Sequence, residues 1–315
     1  MPVDDGIAQF LAAAASAGGK PVELSSVEEV RGMIGSLIQF QRTPQEVASV
    51  ETTTYPGAAG PLPVRIFRPI LDRTLPVILF LHGGGWMAGD IDLLDGPCRA
   101  LANATGALVI SAAYRLAPEN PFPAAPDDAF AALQWVEAHC NEYGGDPTRL
   151  AVAGESGGGT LAATTALRAR DAGGPALSAQ ILLYPAIDPD ADTASRTEYG
   201  EGYLITAKAV DWMWSQYLPD PTLARLASPA RASSLAGLPP TLAVTMEYDA
   251  LRDEGEAFAE QLRQAGVTVE QVRIDGLIHA SMTLSALTDK TDQIYAAAGR
   301  FLQRHLAPAP DAVEP

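Results

Sequence analysis

The sequence is poor in cysteine, histidine and positive charge, and it has no long apolar run. Its two cysteines, Cys98 and Cys140, match no metal-ligand spacing and give no disulfide framework to a chain of 315 residues. Reduced thiols are expected. Lys and Arg total 21 against 38 Asp and Glu, a formal charge of −17. Nucleic acid and anionic lipid are repelled by such a surface, so small neutral partners fit better, although acidity also serves plain solubility. No apolar stretch reaches the ~20 residues that a bilayer crossing requires, so neither a membrane span nor stable membrane anchoring is expected. The alanine run in MPVDDGIAQFLAAAASAGGK imitates a signal-peptide core, but Asp4 and Asp5 stand where positive charge belongs. The expectation is a helix of a mature, cytoplasmic protein.

What is present is an ordinary globular composition, 47% hydrophobic and 19% charged. From about residue 64, short Val/Ile/Leu-rich segments (VRIFRP, VILFLH, ALVISAAY, LAVAG, QILLYP, TLAVTM, VEQVRI) alternate with helical ones (DDAFAALQWVEAHCNEY, TLAATTALRARDAG, EGEAFAEQLRQAG, TDQIYAAAGRFLQRHL). That alternation predicts an α/β fold with a mostly parallel sheet covered on both faces. Two regions break it: residues 1–45, which read as two helices, and about 186–230, a polar and aromatic insertion. Both are expected to pack over one end of the sheet. The tail, 307–315, has no periodicity and is expected to be disordered.

The stretch LAVAGESGGGTLAATTALRAR runs from an apolar strand into a helix through four glycines and one serine. Gly154, Glu155, Ser156, Gly157 and Gly158 meet the pattern G-x-S-x-G. In that context the serine sits on a sharp strained turn, and glycines two residues to either side are needed because side chains there would strike neighbouring backbone. The junction lacks the Gly-Lys-Ser/Thr ending of a phosphate loop and the spacing of a dinucleotide fingerprint. Ser156 is therefore the candidate nucleophile.

A serine hydroxyl needs a base, and the base an orienting acid. His82 belongs to a glycine motif, His139 to a helix and His305 to the last helix, whereas His279 follows the last strand and is the best base. Among Glu247, Asp249, Asp253 and Glu254, Asp249 comes directly after a strand end and is the candidate acid. The order Ser156, Asp249, His279 is that of α/β-hydrolase triads. LFLHGGGWMAGD supplies bare backbone N–H groups, with Gly83 and Gly84 expected to hold the oxyanion together with Gly157.

These motifs, with YRLAPENPFPAAPDDA (Tyr114 to Ala129), EGYLIT, LPPTLAVTMEYDALRDEG and DGLIH, resemble the bacterial hormone-sensitive-lipase-like carboxylesterase family over nearly the whole chain. The resemblance implies an α/β-hydrolase core at 46–306 with about eight strands, and a helical cap from 1–45 and the insertion at about 186–230. It implies hydrolysis of short-to-medium acyl esters without a cofactor, and a structural role for YRLAPE beside the site. Homodimers are common among lookalikes, but no residue here signals one. The family usually has Asp-Ser-Ala where this chain has Glu155, Ser156 and Gly157, and His-Gly-Phe where it has His279, Ala280 and Ser281. Met246 stands where a smaller residue is common.

Trp86 and Leu204, tied to motifs near the nucleophile, are candidate substrate contacts. Ser281 joins them because it replaces an aromatic residue beside the base. Trp212 and Trp214 read as packing of the insertion. DPDAD (Asp188 to Asp192) imitates a calcium loop, but Thr193 and Tyr199 occupy positions that need glycine and a bidentate glutamate, so no metal is expected. Amides, carbamates, lactones or aryl esters are alternative substrates for the same machinery. A non-catalytic ligand receptor on this scaffold is the rival of another class, and the retained His279 argues against it.

Overall fold

The computed structural model describes residues 2–306. The tail assigned above to disorder, 307–315, lies outside the described residues. Eight strands form one sheet among these residues: β1 (Ser49–Gly57), β2 (Gly60–Arg68), β3 (Leu75–Leu81), β4 (Leu108–Ala112), β5 (Gly145–Glu155), β6 (Ala179–Leu183), β7 (Thr241–Tyr248) and β8 (Val269–Ile278), in the order β1-β2-β4-β3-β5-β6-β7-β8. β1 and β2 pair antiparallel, as do β2 and β4; the other pairings are parallel.

Alternation within β3 shows how the sheet is buried. Leu75, Val77, Leu79 and Leu81 point into a core shared with helices Ala124–His139, Gly157–Ala172 and Arg252–Gln264. Ile78 and Phe80 point to the opposite core, built with helices Asp95–Thr105 and Asp292–His305. Strands apolar on both faces are what a doubly covered parallel sheet requires.

β1 and the helix Asp95–Thr105 are absent from the sequence reading. β1 is SVETTTYPG, an edge strand in which Tyr55 is buried and most neighbours are exposed, so it carries no apolar run. The helix DGPCRALANAT opens with Gly and Pro near its start, which masks its period.

The N-terminal region contains the helices Asp5–Ala17 and Val27–Gly35, the second started by a reciprocal capping box between Ser26 and Glu29. In the insertion, helix Ala207–Tyr217 packs against the turn Val22–Leu24 of the N-terminal region. No helix among the described residues is long and apolar enough to cross a membrane.

Candidate active site

Four strands deliver the site at their carboxyl ends. β3 runs into His82 and the glycine loop, β5 into Ser156, β7 into Asp249 and β8 into His279. Ser156 has φ 54° and ψ −125°, a region disfavoured for any residue with a side chain. Tight packing holds it there. A Cβ on Gly154 would strike the carbonyl of Gly158, and one on Gly158 would strike the carbonyls of Leu81 and His82.

Ser156, His279 and Asp249 form a hydrogen-bonded line. Ser156 Oγ lies 2.8 Å from His279 Nε2, and His279 Nδ1 lies 2.8 Å from Asp249 Oδ2. Nδ1–H donates to the carboxylate, which leaves Nε2 to accept from the serine hydroxyl. The second Asp249 oxygen accepts from the Leu251 N–H at 2.9 Å, and the carboxylate is fully buried. Burial pulls the His279 pKa down, but the charge and hydrogen bond of Asp249, with smaller contributions from Glu155 and Glu254, outweigh it and hold the imidazole above its ordinary value. The Tyr184 ring packs edge-on against it at 5.1 Å.

The glycine loop differs from the sequence expectation at one residue. The Gly83 N–H donates to Glu155 Oε1 at 2.6 Å, so this amide is occupied and cannot serve an oxyanion. The N–H groups of Gly84, Gly85 and Gly157 meet no acceptor among the described residues. Gly84 and Gly85 adopt φ 105° and 60°, which turns the loop over the nucleophile. His82 stacks on Tyr114, whose hydroxyl donates to the His82 carbonyl at 2.7 Å, and its Nδ1 turns to the Gly83 carbonyl at 2.8 Å. This ties the YRLAPE segment to the loop from below.

Two spaces adjoin Ser156. The larger, about 200 Å³, is bounded by Gly83 to Gly85, Glu155, His279, Ala280 and Thr283 on the sheet side, and by Val22, Val30, Met33, Ile34, Leu37, Leu204, Ile205 and Met213 on the outer side. The smaller, about 10 Å³, is a recess among Trp86, Gly157, Ala186, Val210 and Leu251. Leu204 therefore borders the larger space, with φ 75°. Trp86 borders the recess, stacked on Tyr217 at 4.4 Å and tilted against Trp214 at 4.2 Å. Ser281 borders neither: it is fully buried and its hydroxyl donates to the Ile278 carbonyl at 2.6 Å, a local bond that turns the side chain inward. Ala280, with φ 59°, and Thr283 take the place assigned to it.

Sequence reasoning missed the wall formed by Val30, Met33, Ile34 and Leu37, although their helical spacing marks an apolar face. It also left Glu155 without a task. Among the described residues no group of three or more His, Cys, Asp or Glu is placed to hold a metal ion.

A serine on a strand-to-helix elbow, hydrogen-bonded to a histidine and aspartate from later strand ends, defines the serine hydrolases of the α/β-hydrolase fold. A family model described as alpha/beta hydrolase fold matches residues 78–283. The chain is 43% identical to the carboxylic ester hydrolase LipN of Mycobacterium tuberculosis, over 82% of this chain and 70% of the relative. It is 37% identical to the carboxylesterase NlhH of the same organism, over 90% and 92%. The crystal structure of a thermostable esterase from Pseudomonas putida ECU1011 superposes with a TM-score of 0.93 at 38% identity, covering 98% of this chain and 99% of that one. The chain belongs to the hormone-sensitive-lipase-like carboxylesterase family of the α/β-hydrolase fold.

Proposed function

We propose that the protein is a serine carboxylesterase acting through an acyl-enzyme on Ser156. The observation that carries this reading is the unbroken line from Ser156 Oγ through His279 to Asp249, with both bonds at 2.8 Å. His279 Nε2 takes the hydroxyl proton as Oγ attacks the ester carbonyl, and Asp249 stabilises the imidazolium that results. The N–H groups of Gly84, Gly85 and Gly157 receive the oxyanion, each contributing about 3 kcal/mol to the transition state. His279 then protonates the departing alcohol. Water enters, gives its proton to His279, and releases the acid by the same roles reversed.

The unequal spaces beside Ser156 support short-to-medium acyl esters. The larger accepts one ester substituent of moderate length, and the recess under Trp86 accepts only a methyl-sized group. Residues 1–45 and the insertion at about 186–230 act as a cap, whose apolar side chains keep water from the tetrahedral intermediate. Replacing Ser156 by Ala is expected to lower p-nitrophenyl butyrate hydrolysis by at least about 10⁴-fold. Retained hydrolysis would place the chemistry elsewhere.

A further inference from the structure

Glu155 ends β5 immediately before the nucleophile and is 5% exposed. A carboxylate buried at that depth persists only with donors or a counter-charge. It has both. The Gly83 N–H donates to Oε1 at 2.6 Å, and the His279 imidazole, which becomes cationic during the reaction, borders the same cavity. The other groups within its field are Tyr184, Tyr114 and Cys98, each kept neutral by burial, and His82 beside Gly83, whose basicity burial lowers. Burial pushes the Glu155 carboxyl above its ordinary range, while His279 and the Gly83 amide act in the opposite direction.

The bond to Gly83 also sets the direction of the loop. With that amide turned to Glu155, the following N–H groups, Gly84 and Gly85, remain without acceptors where the cavity meets Ser156. We propose that Glu155 is a positioning residue for ester hydrolysis: its carboxylate fixes the glycine loop through Gly83, and its charge joins that of Asp249 in stabilising protonated His279. This rests on the esterase reading of Ser156. The remaining groups facing His279 are Tyr184, kept neutral by burial, and Glu254, a smaller contributor whose carboxyl burial lifts to about 8.

The test compares the full-length wild type with Glu155→Gln and Glu155→Ala, reading kcat and KM for p-nitrophenyl butyrate from pH 4.5 to 9. Glutamine keeps an oxygen for Gly83 and removes the charge. The acid limb of its kcat/KM profile, which reports deprotonation of His279, is expected to move to lower pH by roughly 0.5–1 unit. Alanine removes both features, and its kcat is expected to fall about 10²-fold with little change in KM. An unmoved acid limb in Glu155→Gln, or an alanine variant within about twofold of wild type, would overturn the proposal. If glutamine prevents folding, Glu155→Asp takes its place: it keeps the charge but shortens the reach, so kcat should fall about tenfold with the acid limb fixed, and wild-type kcat would overturn the loop-fixing role. Loss of activity in Ser156→Ala is independent of these results, so failure of the Glu155 proposal leaves the esterase reading standing.

Discussion

Arg31 and Glu119 lie 88 positions apart and meet in a two-bond ion pair, with Arg31 Nη1 and Nη2 at 2.9 and 2.6 Å from the two carboxylate oxygens. The same guanidinium donates to the carbonyls of Met87 at 2.8 Å and Ala117 at 3.1 Å. One side chain thus joins the N-terminal helix Val27–Gly35 to the end of the glycine loop and to the YRLAPE segment. An exposed ion pair alone contributes little, but bonds from a charged donor to backbone carbonyls contribute more.

Arg31→Ala is therefore expected to lower stability by about 1–2 kcal/mol, and Glu119→Ala by about 0–1 kcal/mol. Arg31→Ala should also raise KM more than it lowers kcat, because Val30, Met33 and Ile34 on the same segment wall the substrate space. Urea unfolding and steady-state kinetics on the two variants check both statements. Equal destabilisation by the two substitutions would assign the effect to the ion pair.

Glu254 makes stability depend on pH. Its Oε1 accepts from the Ile187 N–H at 2.7 Å, its Oε2 has no hydrogen-bond partner, and burial lifts its pKa from 4.5 to about 8. The folded state favours the protonated form. The contribution of Glu254 is therefore complete below pH 4.5 and is lost as pH rises toward about 8, a decline on the order of a few kcal/mol. Glu254→Gln keeps the acceptor for Ile187 and removes the titration. Its Tm relative to wild type should rise between pH 5 and about 8, and a constant difference across that range would contradict this.

The larger space beside Ser156 has no Lys or Arg among its lining residues, and Glu155 borders it. A p-nitrophenyl ester whose acyl group ends in a carboxylate, such as the hemisuccinate, should show kcat/KM roughly 10–100-fold below the butyrate. The palmitate should fall at least about 10-fold below the butyrate because its chain outgrows the space. Equal rates across these substrates would mean that the spaces described do not hold the acyl group.

The strand ends that carry Ser156 and Asp249 are legible in the sequence because each follows a largely apolar segment, LAVAG and TLAVTM, and a parallel sheet aligns such ends on one edge; His279 follows the mixed segment VEQVRIDGLI, whose Val, Ile and Leu residues still mark a strand. The antiparallel edge strand β1 is not, because a strand with one wet face shows no apolar run. Nor can the sequence say which amides of Gly83, Gly84 and Gly85 are free. That depends on where the Glu155 carboxylate lands, a contact between residues 72 positions apart. Ser281 is misread for a similar reason: the hydroxyl finds the Ile278 carbonyl three residues back, and a local bond of that kind leaves no mark in composition. The periodic apolar face of Val27–Gly35 is visible in the sequence, but that it closes a cavity over the nucleophile depends on the packing of Val22–Leu24 against Ala207–Tyr217.

Intact-protein mass spectrometry after reaction with a fluorophosphonate tests the central claim most directly. The account predicts one adduct per chain, localised to Ser156, absent in Ser156→Ala, and formed at least about 10²-fold more slowly in His279→Ala. An adduct on another residue, or undiminished labelling of either variant, would contradict it.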